Sequence, residues 1–502
     1  MSKQIRNIII AVVVVLLLVG GLVLIRLLPA SQQQGGGDVT TTASSSNTTT
    51  QGQTAAPAEE GIYLTQNEEG NLDTIEIANE SSSYKLVQQQ KNVWVVDGYE
   101  DILTGDAVPF IVDSCGNFKV ASVVEKNCSD FSKYGLDKPV ATIRILFRDS
   151  SEMTVCFGGV NPSSSTKSRY LYVKNGKDVY EESVGLYTAF SNKLEDLFST
   201  EMLSPQKTTD SEGKTVFADI DSIVLGGKAR DKEISITKNK DSGKQTSGNL
   251  VFTESKMVIN SPISAPLDTS TESGRFGTTY SRLTETGITA STVAKVHPTD
   301  AEKAEFGLTE PAYSLTFTSQ GKEYHFYFSE LNPQEGAYYA MDEFGLVIFR
   351  LNESSGKWVT ATLDELAPKK LYEGNLYQIS KVTVKTEDGS KAFDIIQMGD
   401  YQVNVKEGGR EVDAGAFRRF FDAVCGLEWV DVSNTVPTIG GKDTVLEIRI
   451  AYTGEAGYSQ DVITLTKSSA RRYLIGINGK GAFACDSNGL NSILTAYQLL
   501  QS

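Results

Sequence analysis

Histidine is the commonest general base near neutral pH, and this 502-residue chain holds only two, His297 and His325. His297 precedes Pro298, a turn pair, while His325 lies in "KEYHFYF", where alternation reads as a strand. Neither has the H-E-x-x-H spacing that sets two ligands on one helix face. His325 is therefore expected on a strand surface or satisfied in a core. Five cysteines occur, with neither a C-x-x-C pair nor zinc-ligand spacing. An odd count leaves no fully paired framework. Cys115 with Cys128, or Cys425 with Cys485, could bond if the fold joins them; the other reading is buried free thiols.

Nucleophile and phosphate motifs are missing too. There is no G-x-S-x-G elbow, no G-x-x-x-x-G-K-[ST] loop and no G-x-G-x-x-G turn. "GGKDT", Gly440 to Thr444, lacks the upstream glycine and the following helix of a phosphate loop, so it reads as a turn leading into a strand. Facing carboxylates would suit glycoside hydrolysis. The pairs Glu181-Glu182 and Glu195-Asp196 are expected on turns or exposed helix faces. No catalytic, cofactor-binding or metal-binding residue is assigned, and the expectation is a protein that is not an enzyme. One chemical feature recurs: Tyr170 and Tyr172, Tyr338 and Tyr339, and Tyr473 enter comparable hairpins along the chain. They would form an aromatic row for a glycan or a partner edge, or else pack between sheet and helix.

Composition narrows the class. With 40% hydrophobic and 22% charged residues, most of the chain can bury a core. The net charge is −16, and the first 28 residues carry only the basic Lys3, Arg6 and Arg26, so the remainder is more acidic still. Such a body repels polyphosphate, which excludes nucleic acid as a partner. The length suits roughly three domains of about 150 residues.

The amino terminus sets the compartment. An uncharged apolar run from Ile8 to Ile25 would make a helix of about 27 Å, enough to span the hydrocarbon layer with Arg26 at the interface. Leu28-Pro29-Ala30 is a poor cleavage site, so residues 1–30 are expected to stay as a single-pass membrane anchor embedded through residues 8–28. Lys3 and Arg6 place the start in the cytoplasm and the body outside it. Residues 31–60, rich in Ser, Thr, Gln and Gly, read as a disordered tether.

The body repeats itself. From Leu72, three period-two runs form a meander, "GDAVPFIVDSCGNF" has helical spacing, and "KVASVVEKN" is a strand. "YGLDKP" follows, in which Gly135 can take the left-handed conformation and Pro139 starts an extended run. Two hairpins come next, the second turning at Asn175-Gly176, and "GLYTAFSNKLEDLF" is expected to close the unit as one amphipathic helix. The order recurs, with a helix expected around Gly274 to Leu283 and "FGLTEP" at Phe306 to Pro311. A third pass keeps the strand order without that phrase. The expected fold class is α+β, tandem repeats of a small antiparallel sheet with one or two helices per copy, over residues 72–204, 216–373 and 377–502. "SPQKTTDSEGK" reads as a polar joint and "KDSGKQTSGN" as a loop tip.

The apolar span, the Trp94-Val95-Val96 slot, the "YGLDKP" and "FGLTEP" junctions and the hairpins "VCFGG…RYLYV" and "FYFSE…GAYYA" resemble the bacterial domain of unknown function 4340. That resemblance implies a membrane-anchored extracytoplasmic protein of a family often encoded beside ABC transporters of the gliding-motility type, and it brings no catalytic residues. The expected function is a non-catalytic scaffold or binding protein, an accessory subunit touching permease or ATPase subunits. The alternatives are a module binding cell-wall or surface glycan and, in third place, a wall-polymer hydrolase.

Overall fold

The computed structural model describes residues 62–243, 248–268, 282–399, 402–432, 441–454 and 458–500. Every described residue belongs to one compact unit, Glu60–Ser502. The expected span and tether lie outside the described residues, as does most of the helix expected over Gly274 to Leu283. No helix among the described residues is long and apolar enough to cross a membrane.

Three nine-stranded sheets follow one another. The first holds β1 (Ile62–Tyr63), β2 (Leu72–Asn79), β3 (Ser83–Gln90), β4 (Val93–Val96), β5 (Lys119–Glu125), β6 (Ala141–Phe147), β7 (Glu152–Val160), β8 (Arg169–Val173) and β9 (Val179–Glu182). Its order is β1-β5-β9-β8-β7-β6-β2-β3-β4. After β10 (Glu201–Leu203) and the hairpin β11 (Lys207–Thr209) and β12 (Thr215–Phe217), the second sheet takes β13 (Ile220–Gly226), β14 (Ile234–Lys238), β15 (Met257–Ser261) and β16 (Ala265–Pro266). A separate short strand, β17 (Ile288–Thr289), precedes its remaining members β18 (Thr292–Val296), β19 (Tyr313–Ser319), β20 (Lys322–Phe328), β21 (Ala337–Asp342) and β22 (Val347–Asn352). Here the order is β16-β15-β14-β13-β19-β20-β21-β22-β18. The third comprises β23 (Ile379–Thr386), β24 (Gly389–Gln397), β25 (Val403–Glu407), β26 (Arg410–Val412), β27 (Asp431–Val432), β28 (Thr444–Tyr452), β29 (Gln460–Ser469), β30 (Arg472–Ile477) and β31 (Lys480–Asp486), ordered β26-β25-β24-β23-β28-β29-β30-β31-β27.

These orders are one order. In each sheet a three-stranded meander lies on one side, two hairpins continue from its first strand, and β5, β18 or β27 pairs beyond the last hairpin. The neighbours are antiparallel throughout, as alternation requires of strands with one wet face. A tandem α+β array of antiparallel sheets is thus present. The sheets are larger than the small ones expected, because each gains a two- or three-residue edge strand, β1, β16 or β26.

One face of each sheet is apolar. On the first, Ile75, Ile77, Ile143, Ile145, Val155 and Phe157 are buried. They face α1 (Ala107–Gly116), whose Val108, Ile111, Val112 and Cys115 recur at helical spacing. Each such side chain contributes roughly 1.5–3 kcal/mol by leaving water. The core is continuous through all three sheets.

The closing helix differs from expectation. In the first copy it breaks into α2 (Leu186–Phe190) and a 3-10 turn at Glu195–Leu197. Asn192 Nδ2 donates to Ala189 O (2.9 Å), and Asn79 Nδ2 from β2 donates to Phe190 O (2.9 Å) and Asn192 O (2.8 Å). Carbonyls that would continue the helix are taken by side chains. In the second copy, beyond α3 (Leu250–Glu254) and α4 (Asp300–Glu305), the closing element is again broken, into α5 (Glu353–Gly356), a 3-10 turn and α6 (Leu363–Leu366). Only the third copy, after its main helix α7 (Ala414–Cys425), closes on one continuous helix, α8 (Ser487–Leu499).

All five cysteines are free and four are buried, so neither conditional pairing forms and the reading as free thiols holds. Burial pushes the thiols of Cys115, Cys425 and Cys485 up from the ordinary range.

Candidate functional site

The repeated phrase builds a small second core on the back of the sheet. Gly135 (φ 67°) and Gly307 (φ 71°) are left-handed, as the punctuation requires. In the first copy the turn lies so close to β7 that a Cβ on Gly158 would come within 2.5 Å of Tyr134 O, which explains the Gly158-Gly159 pair. Leu136 then packs with Cys128, Val179, Tyr170 and Tyr172. In the second, Leu308 packs with Ile348, Tyr339 and Phe306. The ring contacts match: Tyr134 meets Tyr170 edge-on at 4.8 Å, and Phe306 meets Tyr339 at 4.6 Å.

The tyrosines accordingly do not form an aromatic row. Tyr170, Tyr172 and Tyr339 belong to the back-face cores. Tyr338, next to Tyr339 on one strand, faces the other way, is 4% exposed and packs over Gly356, where a Cβ would meet its ring at 2.5 Å. Tyr473 packs half-buried against the main core. Adjacent residues on a strand cannot serve one surface.

The other candidates are structural too. His325 Nδ1 pairs with Thr316 Oγ1 (3.0 Å) and Nε2 with Glu323 (2.9 Å), at the surface of β20. Glu182 corrects the expectation of a solvated pair: it is 5% exposed and accepts from the backbone N–H of Arg169 (2.6 Å) and Tyr187 (2.7 Å), while burial raises its carboxyl. Asp196 Oδ2 accepts from Lys193 N (3.0 Å), tying its own turn. Gly440 lies outside the described residues; Thr444 N donates to Gly441 O (3.0 Å), closing a turn that leads into β28.

What the sequence did not disclose is the pair of joints. Leaving the first sheet, Leu197 O accepts from Gly105 N (2.8 Å), just ahead of α1, and the chain runs on as β10 to pair with β17 of the next copy, Glu201 opposite Thr289. Leaving the second sheet, Leu366 O accepts from Asp268 N (2.8 Å), and Lys370 pairs with Glu428. The flanking bonds coincide: Ala290 N donates to Thr200 O (2.8 Å) and Trp429 N to Lys369 O (3.1 Å). Even β1 takes this place, with Tyr63 opposite Lys119 at the start of β5. Three entry strands thus share one register. "SPQKTTDSEGK", expected as the joint, instead forms most of the β11–β12 hairpin. The last residue of "KDSGKQTSGN" is also no loop tip: Asn249 is 1% exposed, donates to Leu371 O (2.8 Å) and accepts from Glu373 N (3.2 Å).

Different side chains fasten the two joints. At the first, His297 Nε2 lies 2.8 Å from Asp101 Oδ1 and its ring stacks on Tyr99, which in turn leans on Phe198. Beside them Lys295 bonds Glu302 (2.7 Å); this contact and the Thr299 N–H hold the Glu302 carboxyl down at about 2. At the second, Trp429 Nε1 donates to Pro368 O (2.7 Å) beneath the Lys369 ammonium. Tyr372 OH donates to Tyr452 OH (2.6 Å), Tyr452 OH to Asp461 (2.8 Å) and Asn478 Nδ2 to the same carboxylate (2.7 Å). Burial pushes both tyrosine hydroxyls above their ordinary range. Among the described residues no cluster of His, Cys, Asp and Glu is arranged to hold a metal.

No curated protein and no solved structure matches the chain. The family model described as "Domain of unknown function (DUF4340)" matches twice, over residues 94–260 and 259–444. Each match opens in the third strand of a meander, at Trp94 in β4 or Ile259 in β15, and runs through the closing segment into the next sheet. The matched unit therefore contains the segment that makes a joint. With two such matches over well more than half of its length, the chain belongs to the family of domain of unknown function 4340.

Proposed function

We propose that this protein is a non-catalytic, membrane-anchored scaffold or binding subunit of the bacterial cell envelope, held by residues 8–28 with its body outside the cytoplasm, and that it serves an ABC transporter as an accessory subunit. The observation that carries this reading is the repeated joint. Two backbone-paired crossings in one register, over a core shared by all three sheets, suit a body that transmits position rather than one that encloses a substrate. The glycan-binding alternative has less support, since the tyrosines that suggested it pack against the cores, Tyr338 and Tyr339 buried and Tyr170, Tyr172 and Tyr473 half-buried.

In-cell crosslinking of the anchored protein, followed by mass spectrometry, tests the proposal. Capture of permease or ATPase subunits is the expected result. Normal transporter assembly and activity in cells lacking the body would overturn it, as would capture of wall material alone.

A further inference from the structure

One connection in the second copy far exceeds its counterparts. Between the second and third strands of the meander lie Lys91-Asn92 in the first sheet and residues 398–402 in the third, but residues 239–256 in the second. A two-residue turn covers at most about 7 Å, so the first copy has no residue there to reach a neighbour. The long connection of the second copy contains α3 and is braced at its base, where Asn239 Nδ2 donates to Phe252 O (2.9 Å) and Ser255 O (2.8 Å).

The far end of this arm, Gly248 to Leu250, grips the link that runs from α6 of the second copy into the third sheet. Asn249 Nδ2 donates to Leu371 O (2.8 Å), Asn249 Oδ1 accepts from Glu373 N (3.2 Å), and Leu250 N donates to Glu373 O (2.7 Å). The link is thus bonded to the arm on both sides of Tyr372. Tyr372 is itself joined through its hydroxyl to Tyr452 of β28 (2.6 Å). Gly248 lies flat on the Tyr452 ring, where a Cβ would overlap the ring atoms. One arm of the second copy therefore touches both the link and a central strand of the third sheet.

The first joint has no such arm. Its link, Phe198 to Thr200, is held by main-chain bonds from Ser199 N to Leu103 O (2.9 Å) and from Ala290 N to Thr200 O (2.8 Å). The side chains added to it, His297 and Asp101, are open to solvent, so water competes directly for their hydrogen bond. Asn249 is 1% exposed, so water reaches its partners only if the second joint opens.

We infer that Asn249 is a positioning residue that clamps the third sheet to the second, so that the array moves as two bodies, the first sheet alone and the second and third together, with the bend at the first joint. Of two equivalent hinge positions one is locked and the other is left free. The clamp needs no transporter. Its failure would leave the proposed partner standing, and capture of wall material alone would leave the clamp standing.

Spin-label distances in the purified full chain test it. The labels sit at exposed positions, one to a sheet, as the pairs Ser151→Cys with Glu330→Cys and Glu330→Cys with Ser390→Cys; the unsubstituted chain, with its half-buried Cys425, sets the background. The distance distribution between the first two sheets is expected to be at least about twice as wide as that between the second and third. In Asn249→Ala the second distribution should widen to match the first, and the first should stay as it was. A role in stability alone would lower the melting temperature and leave both widths unchanged well below it, which would overturn the clamp. Equal widths before Asn249 is touched would overturn the two-body arrangement outright, whether or not Asn249→Ala folds.

Discussion

The two joints share a backbone and differ in everything attached to it. At the first, the fastening groups are polar and wet: the His297 and Asp101 side chains are 37% and 53% exposed. At the second, Tyr372, Tyr452 and Trp429 are all under 10% exposed and the hydrogen bonds run between buried groups. Register is thus a property of main-chain pairing, which tolerates either chemistry, while stiffness depends on what the side chains exclude from water. Exposed ion pairs contribute little, typically up to about 1 kcal/mol, whereas a buried group left without its partner costs about 1–3 kcal/mol.

The sharpest way to break the contrast is Trp429→Ala. Removing a side chain that is 2% exposed, pinned through its indole N–H and covered by Lys369, should cost about 3–5 kcal/mol. Calorimetry should then resolve a separate, earlier transition for the third sheet. Unchanged melting would mean that the second joint is held by its backbone alone.

Tyr452→Phe asks a narrower question. The ring stays, but Asp461 loses one donor and Tyr372 loses its acceptor, for an expected loss of about 1–3 kcal/mol. A neutral result would show that the polar chain beneath the joint gives specificity without stability.

Titration should separate the joints without any substitution. Glu302 has its folded value depressed to about 2 from 4.5, so its contribution is complete above about pH 4.5 and fades as pH falls toward 2, at the first joint. Tyr372 and Tyr452 are raised, so theirs is complete below the ordinary tyrosine value of about 10 and is lost as pH climbs above it, at the second. Lys295, raised by Glu302, adds a weaker alkaline loss to the first joint. The equivalent amides of Ala290 and Trp429 report the two crossings, and their relative protection from hydrogen exchange cancels the shared pH dependence. Acid should expose Ala290 first and alkali Trp429 first; the reverse order would sink the assignment of these groups to their joints.

Legibility in the sequence followed the range of the forces. Strands of five residues or more announced themselves by alternation, and the turns at Gly135, Gly307 and Asn175 (φ 71°) by residue type, because both are local. β1, β16 and β27 have two residues each, too short to show any period, and exist only because a neighbour offers a free edge. The closing helix was misread because Asn79, which takes its carbonyls, is more than a hundred positions away. The tyrosines stay open between an aromatic row and packing in the sequence, because alternation fixes which residues share a face only once register is known. The joints, which carry the functional proposal, were invisible for the same reason: Glu201 and Thr289 have nothing in their types that points to each other.

The smallest effect tests the first joint. His297 holds a positive φ (44°), and the strand after the main helix in the first copy likewise runs into a positive-φ residue, Asn127 (φ 53°). Asparagine suits that conformation, so His297→Asn removes the imidazole without straining the turn. Loss of the Asp101 contact should then lower stability by under about 1 kcal/mol in thermal melting. A larger loss would mean that Tyr99, His297 and Phe198 act as a packed stack rather than as a wet clasp. In that case the two joints would be one kind of structure, and the difference between them would lie only in how much water reaches the rim.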